Sequence, residues 1–353
     1  MPTLERNEIV FRFPEIEEKA QFAINFQRTL RIPDSETTYS LPPGLGSFPI
    51  EHAEDYAAKL PSATVSRGGV ILPMWQAEAM WIRFSSWTPG LGVEFPVAIK
   101  IAAGKINAVT GEAWRPGLHR GPQDYMVSPD QRWLDGFAIE KGVIRQFVAM
   151  PLGDGYSVEE QLTGEAEWGG LQISVAPLKE SVWKRKRAEW EATAERRAHL
   201  RGFNEQKRGA LYSVSRHVTP MALAAGGRMI QDIYEDTFDI GDWDITSADR
   251  VFVTLVHAKD WKEITGKSPP NEPPTARDYN EAGLPWFEYY GKDQKALSGS
   301  AALAGVKSAA TMFKKITGAT MPGTSDVKTG TPKPIGPGAN SPRAVRTSGC
   351  WEH

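Results

Sequence analysis

The clearest alternation of apolar and polar positions runs from Gln146 to Leu178, QFVAMPLGDGYSVEEQLTGEAEWGGLQISVAPL. Phe147 and Ala149 alternate with Gln146 and Val148, which predicts a strand buried on at least one face. Pro151, Gly153 and Gly155 end it, because proline cannot donate to a ladder and glycine accepts positive φ. Ser157 and Glu160 have the spacing of a capping box, so Val158–Thr163 is expected to be a short helix with Gly164 as its C′ residue. Gly169 and Gly170 allow a sharp turn or a close approach before Leu171, Ile173 and Val175 resume the alternation. Two readings stay open: a rigid turn that presents Glu159, Glu160, Glu165, Glu167 and Trp168, or a well-formed corner of a β-rich core.

The same reading along the chain predicts further strands. They cover 22–32, 70–72 after Gly68-Gly69, 78–84, and 93–101, where Pro96 favours an edge or a bulge. The stretch 136–150 reads as a hairpin turning at Lys141-Gly142, and 251–256 (VFVTLV) is the strongest β signal. Gly226-Gly227 looks like another glycine entry to a strand. Helices are expected over 51–60, 260–265 (ended by Gly266), from a Thr275/Asp278 cap to Gly283, and over 296–316 with a break near Gly299.

Residues 179–208 change character. They are charge-rich and free of proline, and they predict a long exposed helix with Trp183 and Trp190 on its packed side. Its basic run Lys184–Arg187 is interleaved with glutamates, which suits a solvated face better than a nucleic-acid contact. Residues 1–20 are charged and weakly patterned, so they read as an N-terminal extension. From 317 to 353 Gly, Pro, Ser and Thr dominate, which predicts disorder. The expected fold is α+β, with a predominantly antiparallel β core, short capped helices, one long exposed charged helix and a disordered C-terminal tail. Residues 21–316 form a single domain crossed by the helical bridge 179–208.

Composition narrows the function classes without choosing one. The chain has 353 residues, 41% hydrophobic and 24% charged, with net charge −2, so no overall basic field recruits nucleic acid. The single cysteine, Cys350, excludes an internal disulfide and a multi-cysteine metal site. No apolar h-region is visible near Met1 and no run is long enough to span a membrane, so the expected location is cytoplasmic. Twelve dispersed tryptophans could fill a core or stack on a planar ligand.

Familiar catalytic patterns are missing. H-E-x-x-H, G-x-S-x-G and a strand-borne G-x-G-x-x-G do not occur. Gly266-Lys267-Ser268 resembles the end of a P-loop, but Trp261 replaces the first glycine and Pro269-Pro270 stands where a helix must begin. The best candidate site is the acidic stretch 232–249. Asp232, Asp236, Asp239, Asp242 and Asp244 could ligate Ca²⁺ through oxygen. An EF-hand does not fit, since Ser247 and Val253 fall where glycine and glutamate are required. A salt-bridged contact with the basic helix and a plain acidic loop are the alternatives. A carboxylate-dependent hydrolase acting on carbohydrate would need two carboxyls about 5 to 9 Å apart. Glu160 or Glu167 with Asp236 or Asp244 are the candidate pairs, and Trp168 or Trp243 could stack on a sugar.

Five segments carry a resemblance: 27–33 (QRTLRIP), 103–111 (AGKINAVTG), EEQLTG…GGLQ from Glu159 to Gln172, IYED from Ile233, and AGLPWFEYY from Ala282. In these the chain resembles a family of bacterial and fungal proteins with no established activity, so the resemblance implies no site residue. The leading expectation is a non-catalytic binding or scaffold protein with a protein, small-molecule or carbohydrate partner and no nucleic acid. The alternative is the carboxylate-dependent hydrolase.

Overall fold

A computed structural model describes residues 1–88, 93–194, 220–289 and 294–335. The architecture is α+β and mainly antiparallel, as the alternation predicts. Ten strands carry it: β1 (Glu8–Arg12), β2 (Gln21–Thr29), β3 (Val70–Met74), β4 (Ala79–Trp87), β5 (Val97–Ala103), β6 (Gly136–Glu140), β7 (Val143–Pro151), β8 (Leu171–Pro177), β9 (Pro220–Ile230) and β10 (Asp249–His257). Antiparallel pairing runs β1–β2–β4–β7–β9–β10–β8–β5. Met126–Ser128 then pairs with β5 and Trp133–Leu134 with β4. The segment 126–134 therefore closes a circuit of strands from β4 round to β5. β3 joins β10 in parallel.

The circuit explains the burial. Ile82, Ile99, Phe147, Ile173, Leu223 and Val253 come from six of its strands and share one large core cluster. In β7, Phe147 and Ala149 belong to that cluster. Val148 and Met150 point to the other face, where Ala309 and Met312 of the helix Ala309–Thr317 cover them. β7 is thus buried on both faces. Leu30, Ile32, Ile144 and Met229 pack in the same way under Tyr279 and Trp286.

The corner after β7 forms as expected. Ser157 and Glu160 make a reciprocal capping box, the helix spans Val158–Thr163, and Gly164 is left-handed. Gly170 also has positive φ, +59°, and a Cβ there would overlap the Val253 carbonyl oxygen in β10. Gly226 and Gly227 differ from expectation. They lie inside β9 rather than before it, at close approaches where Cβ atoms would overlap the Val148 side chain and the Pro33 carbonyl.

Other boundaries also moved. Residues 1–20 are not an extension. Thr3–Glu5 and β1 form a hairpin on β2, and Phe11 is fully buried. Residues 51–60 form a two-residue strand and a 3₁₀ segment, Glu54–Lys59. The helix expected over 296–316 is two helices, Ala301–Ala304 and Ala309–Thr317.

The charged helix spans Glu180–Ala194 among the described residues, and the remainder of 179–208 lies outside them. It is not wholly exposed: Val182 and Trp183 are buried, with Trp183 edge-on to Phe95. Residues 318–335, expected to be disordered, lie against the body. Met321 is buried beside Met150, Asp326 accepts from the Tyr39 hydroxyl at 2.8 Å, and Lys333–Ile335 pairs with Phe287–Tyr289. Scattered apolar side chains suffice there because the receiving surface is preformed. Residues 336–353, with Cys350, lie outside the described residues.

Candidate ligand-binding site

The segments 123–135 and 231–236 run side by side with little ladder pairing, so their backbone groups need other partners. Three buried glutamines supply them. Gln123 donates to the Tyr234 carbonyl at 3.2 Å and accepts from the Asp236 N–H at 2.9 Å. Gln131 donates to the Asp232 carbonyl at 3.3 Å and accepts from the Tyr234 N–H at 3.2 Å. Gln231 donates to the Trp133 carbonyl at 3.1 Å and accepts from the Asp135 N–H at 2.9 Å. Each side-chain amide thus stands in for a peptide unit and clamps one segment to the other.

A buried carboxylate anchors one end of the clamp. Asp236 accepts from the Tyr125 hydroxyl at 2.6 Å, the Trp243 indole N–H at 2.9 Å and the Phe238 N–H at 2.8 Å. The Arg120 guanidinium lies 3.7 Å from it. Burial, then the bond to Asp236, pushes the Tyr125 phenol well above its ordinary range, so Tyr125 is a fixed donor. At the other end the Trp133 indole donates to Asp135 at 2.5 Å. Burial raises the Asp135 carboxyl to about 7 against the opposing pull of that bond.

The clamped segments wall a cavity of about 290 Å³. Its aromatic lining comprises Trp133, Tyr234, Phe287 and Tyr289, and the Tyr289 ring stands edge-on to Trp133 with centroids 4.7 Å apart. Burial and then Asp232 raise the Tyr234 phenol to about 12, so it stays neutral at physiological pH. Three carboxylates, Asp130, Asp232 and Glu288, line the same space against one guanidinium, Arg132. Arg132 is bidentate to Glu94 at 3.0 and 2.9 Å. The lining is therefore aromatic and net negative.

Of the candidate metal, catalytic and binding residues read from the sequence, only Asp232 lines this cavity. Asp236 and Trp243 do come together, but as a buried hydrogen-bonded pair. Asp239 and Asp242 cap a 3₁₀ turn reciprocally, and Asp244 caps Thr246 and Ser247. The Thr246 side-chain bond chiefly lowers the Asp244 pKa. Among the described residues no three His, Cys, Asp or Glu side chains gather to hold a metal ion, so the five acidic candidates for Ca²⁺ are not assembled into a site.

The catalytic candidates each have partners of their own. Glu160 is consumed by the N–H groups of Gly153, Gly155 and Ser157 at 2.9, 2.7 and 3.0 Å. Glu167 lies 4.0 Å from the Lys105 ammonium. Trp168 sits between Lys105, 3.9 Å from its ring centroid, and Arg67, 5.6 Å away. Glu159 is buried and accepts from the Gly169 N–H at 2.9 Å, so it pins the corner and is not presented by it. The charged helix pairs Lys184 with its own Glu180, while Arg187 reaches Glu17 in the N-terminal segment.

The residues missed from sequence are the glutamines and the aromatic lining. A signal existed for two of the clamps. Gln123 and Gln131 each precede an aromatic by two residues, and each donates to that residue's carbonyl, at 2.8 and 3.0 Å. No family model, curated protein or solved structure matches the chain significantly. Among the described residues no helix is long and apolar enough to cross a membrane.

Proposed function

We propose that the protein is a non-catalytic binding protein whose cavity at Trp133, Tyr234, Phe287 and Tyr289 takes a small organic cation. The carrying observation is the pairing of aromatic faces with three carboxylates in one rigid cavity, while its one guanidinium already has an anionic partner. Ring quadrupoles attract a cation held over their faces, by about 0.5–2 kcal/mol each depending on desolvation. The carboxylates add a long-range attraction, and the glutamine clamps hold the walls in place before a ligand arrives. The likeness to a bacterial and fungal family remains part of this proposal and adds no activity to it.

Calorimetric titration with benzylammonium and with its neutral isostere benzyl alcohol tests the reading. The expected result is a preference for the cation of about tenfold, lost in Trp133→Ala, on the scale of one desolvated cation–π contact. Equal affinity for the two probes, or unchanged binding in Trp133→Ala, would remove the basis for it.

A further inference from the structure

A second cavity, of about 370 Å³, has the opposite electrostatic character. Its lining includes Arg31, Lys259, His257, Trp75, Ala77 and one carboxylate, Glu272. Arg31 is half-buried. Among the described residues no carboxylate lies within ion-pair distance of it, and it donates to the Pro322 carbonyl and the Met321 sulfur. One carbonyl and one thioether leave most of its five N–H donors for another acceptor. Burial lowers its pKa, the cost of desolvating a cation, and the nearby Asp34 carboxylate pulls in the opposite direction without reversing it. Lys259 is exposed and adds a second positive charge.

The rest of the cavity is built rather than incidental. Trp75 and Ala77 belong to a tight turn closed by the Glu78 N–H to the Trp75 carbonyl at 3.0 Å. The fully buried Glu78 carboxylate holds that turn by accepting from the Trp75 N–H at 2.8 Å, and Arg28 pairs with it at 2.6 Å. Ala77 adopts φ +66°, a left-handed conformation that disfavours a residue with a Cβ. Such strain persists where the surroundings enforce it, and it concentrates at ligand sites. The Trp75 indole N–H is engaged by the Pro270 carbonyl at 2.8 Å, which fixes the ring, and His257 stands edge-on to it. The His257 Nδ1 accepts from the Lys259 N–H at 3.1 Å, so this nitrogen is a cap acceptor.

We infer that this cavity is a binding site for an oxyanion, a phosphate or a carboxylate, held by Arg31 and Lys259 beside the fixed Trp75 ring. The guanidinium fork offers the paired donors that such an anion accepts, and Lys259 adds a point charge. Trp75, Pro273 and Pro274 would carry a planar or apolar body attached to it.

Separate calorimetric titrations with inorganic phosphate and with benzoate, at matched ionic strength, test the site and distinguish its two sources. Saturable binding of phosphate alone assigns a free phosphate group. Stronger binding of benzoate assigns a carboxylate on a ring against Trp75. In either case Arg31→Met should weaken binding about tenfold, the scale of one charge-assisted contact. Lys259→Met, at an exposed position that the fold does not need, should weaken it about threefold, the scale of one exposed charge. Benzylammonium binding at the other cavity should be unchanged in Lys259→Met. No saturable binding of either anion, or binding unaffected by Lys259→Met and by a folded Arg31→Met, would overturn the inference.

Discussion

Truncating Asp236 separates the reading of a buried anchor from that of a metal ligand. In Asp236→Ala the Tyr125 hydroxyl and the Trp243 indole N–H lose their acceptor, at 2.6 and 2.9 Å in the intact protein, and both residues are buried. Each orphaned donor costs about 1–3 kcal/mol. The Phe238 N–H is half-buried and finds water more readily, so it adds less. Arg120 is also partly exposed, and solvent screens its loss. The expected destabilisation is therefore roughly 3–5 kcal/mol. Asp236→Asn keeps an acceptor of similar shape but loses the charge, and it should fall between wild type and alanine. Urea unfolding followed by tryptophan fluorescence measures both variants, with the slope of free energy against denaturant expected to be unchanged. The melting temperature of the wild type should not respond to EDTA. A cost below about 1 kcal/mol for Asp236→Ala, or an EDTA-sensitive melt, would refute the argument.

Three other perturbations test separate parts of the account. Asp135 has a folded pKa of about 7, above its unfolded value, so the folded state holds its proton longer. Its contribution is present below about pH 4 and is lost as pH rises through about 7. Asp135→Asn should flatten that part of the stability profile and gain roughly 2–4 kcal/mol relative to wild type above pH 7, measured by urea titration across pH. Parallel profiles would count against a buried, protonated Asp135. Gly170→Val should cost roughly 2–4 kcal/mol, through its positive φ and the overlap with the Val253 carbonyl. An unchanged thermal melt would contradict the close approach of β8 to β10. Gln231→Ala should cost about 1–3 kcal/mol, because it orphans the Asp135 N–H, and it should also weaken benzylammonium binding by loosening the Trp133 wall. Binding as tight as in wild type would show that the clamp does not shape the cavity.

Local chemistry was legible where neighbouring residues decide it. Ser157, Glu160 and Gly164 name a helix start and stop within eight positions, and the structure contains that helix. The hairpin at Lys141-Gly142 was equally readable, because its two arms pair with each other. What failed depends on distant partners. Gly226 and Gly227 look like a strand entry until Val148 and Pro33 are known to press on them from other elements. The residues 1–20 look unpatterned because β1 takes its partner from β2 and buries Phe11 only in the assembled sheet. Residues 318–335 have a disordered composition, yet Met321, Asp326 and Ile335 each meet a surface that the rest of the chain prepares.

The site was hidden for the same reason. Its lining comes from residues near 40, 130, 232 and 288, and no motif spans such separations. The density of carboxylates in 232–249 was visible, but density does not reveal direction. Asp236 turns inward to Tyr125 and Trp243, Asp244 caps its own turn, and Asp232 alone reaches the cavity. Glutamines gave little warning, because an amide that clamps two backbones has the same composition as one in water.

A crystal soaked in 4-bromobenzylammonium tests the central claim most directly, since bromine marks the ligand by its anomalous scattering. The account predicts a bromine peak in the cavity walled by Trp133 and Tyr289, with the ammonium facing Asp130, Asp232 or Glu288 and within about 6 Å of an aromatic face. A cavity holding only water, with bromine elsewhere or nowhere, would contradict it.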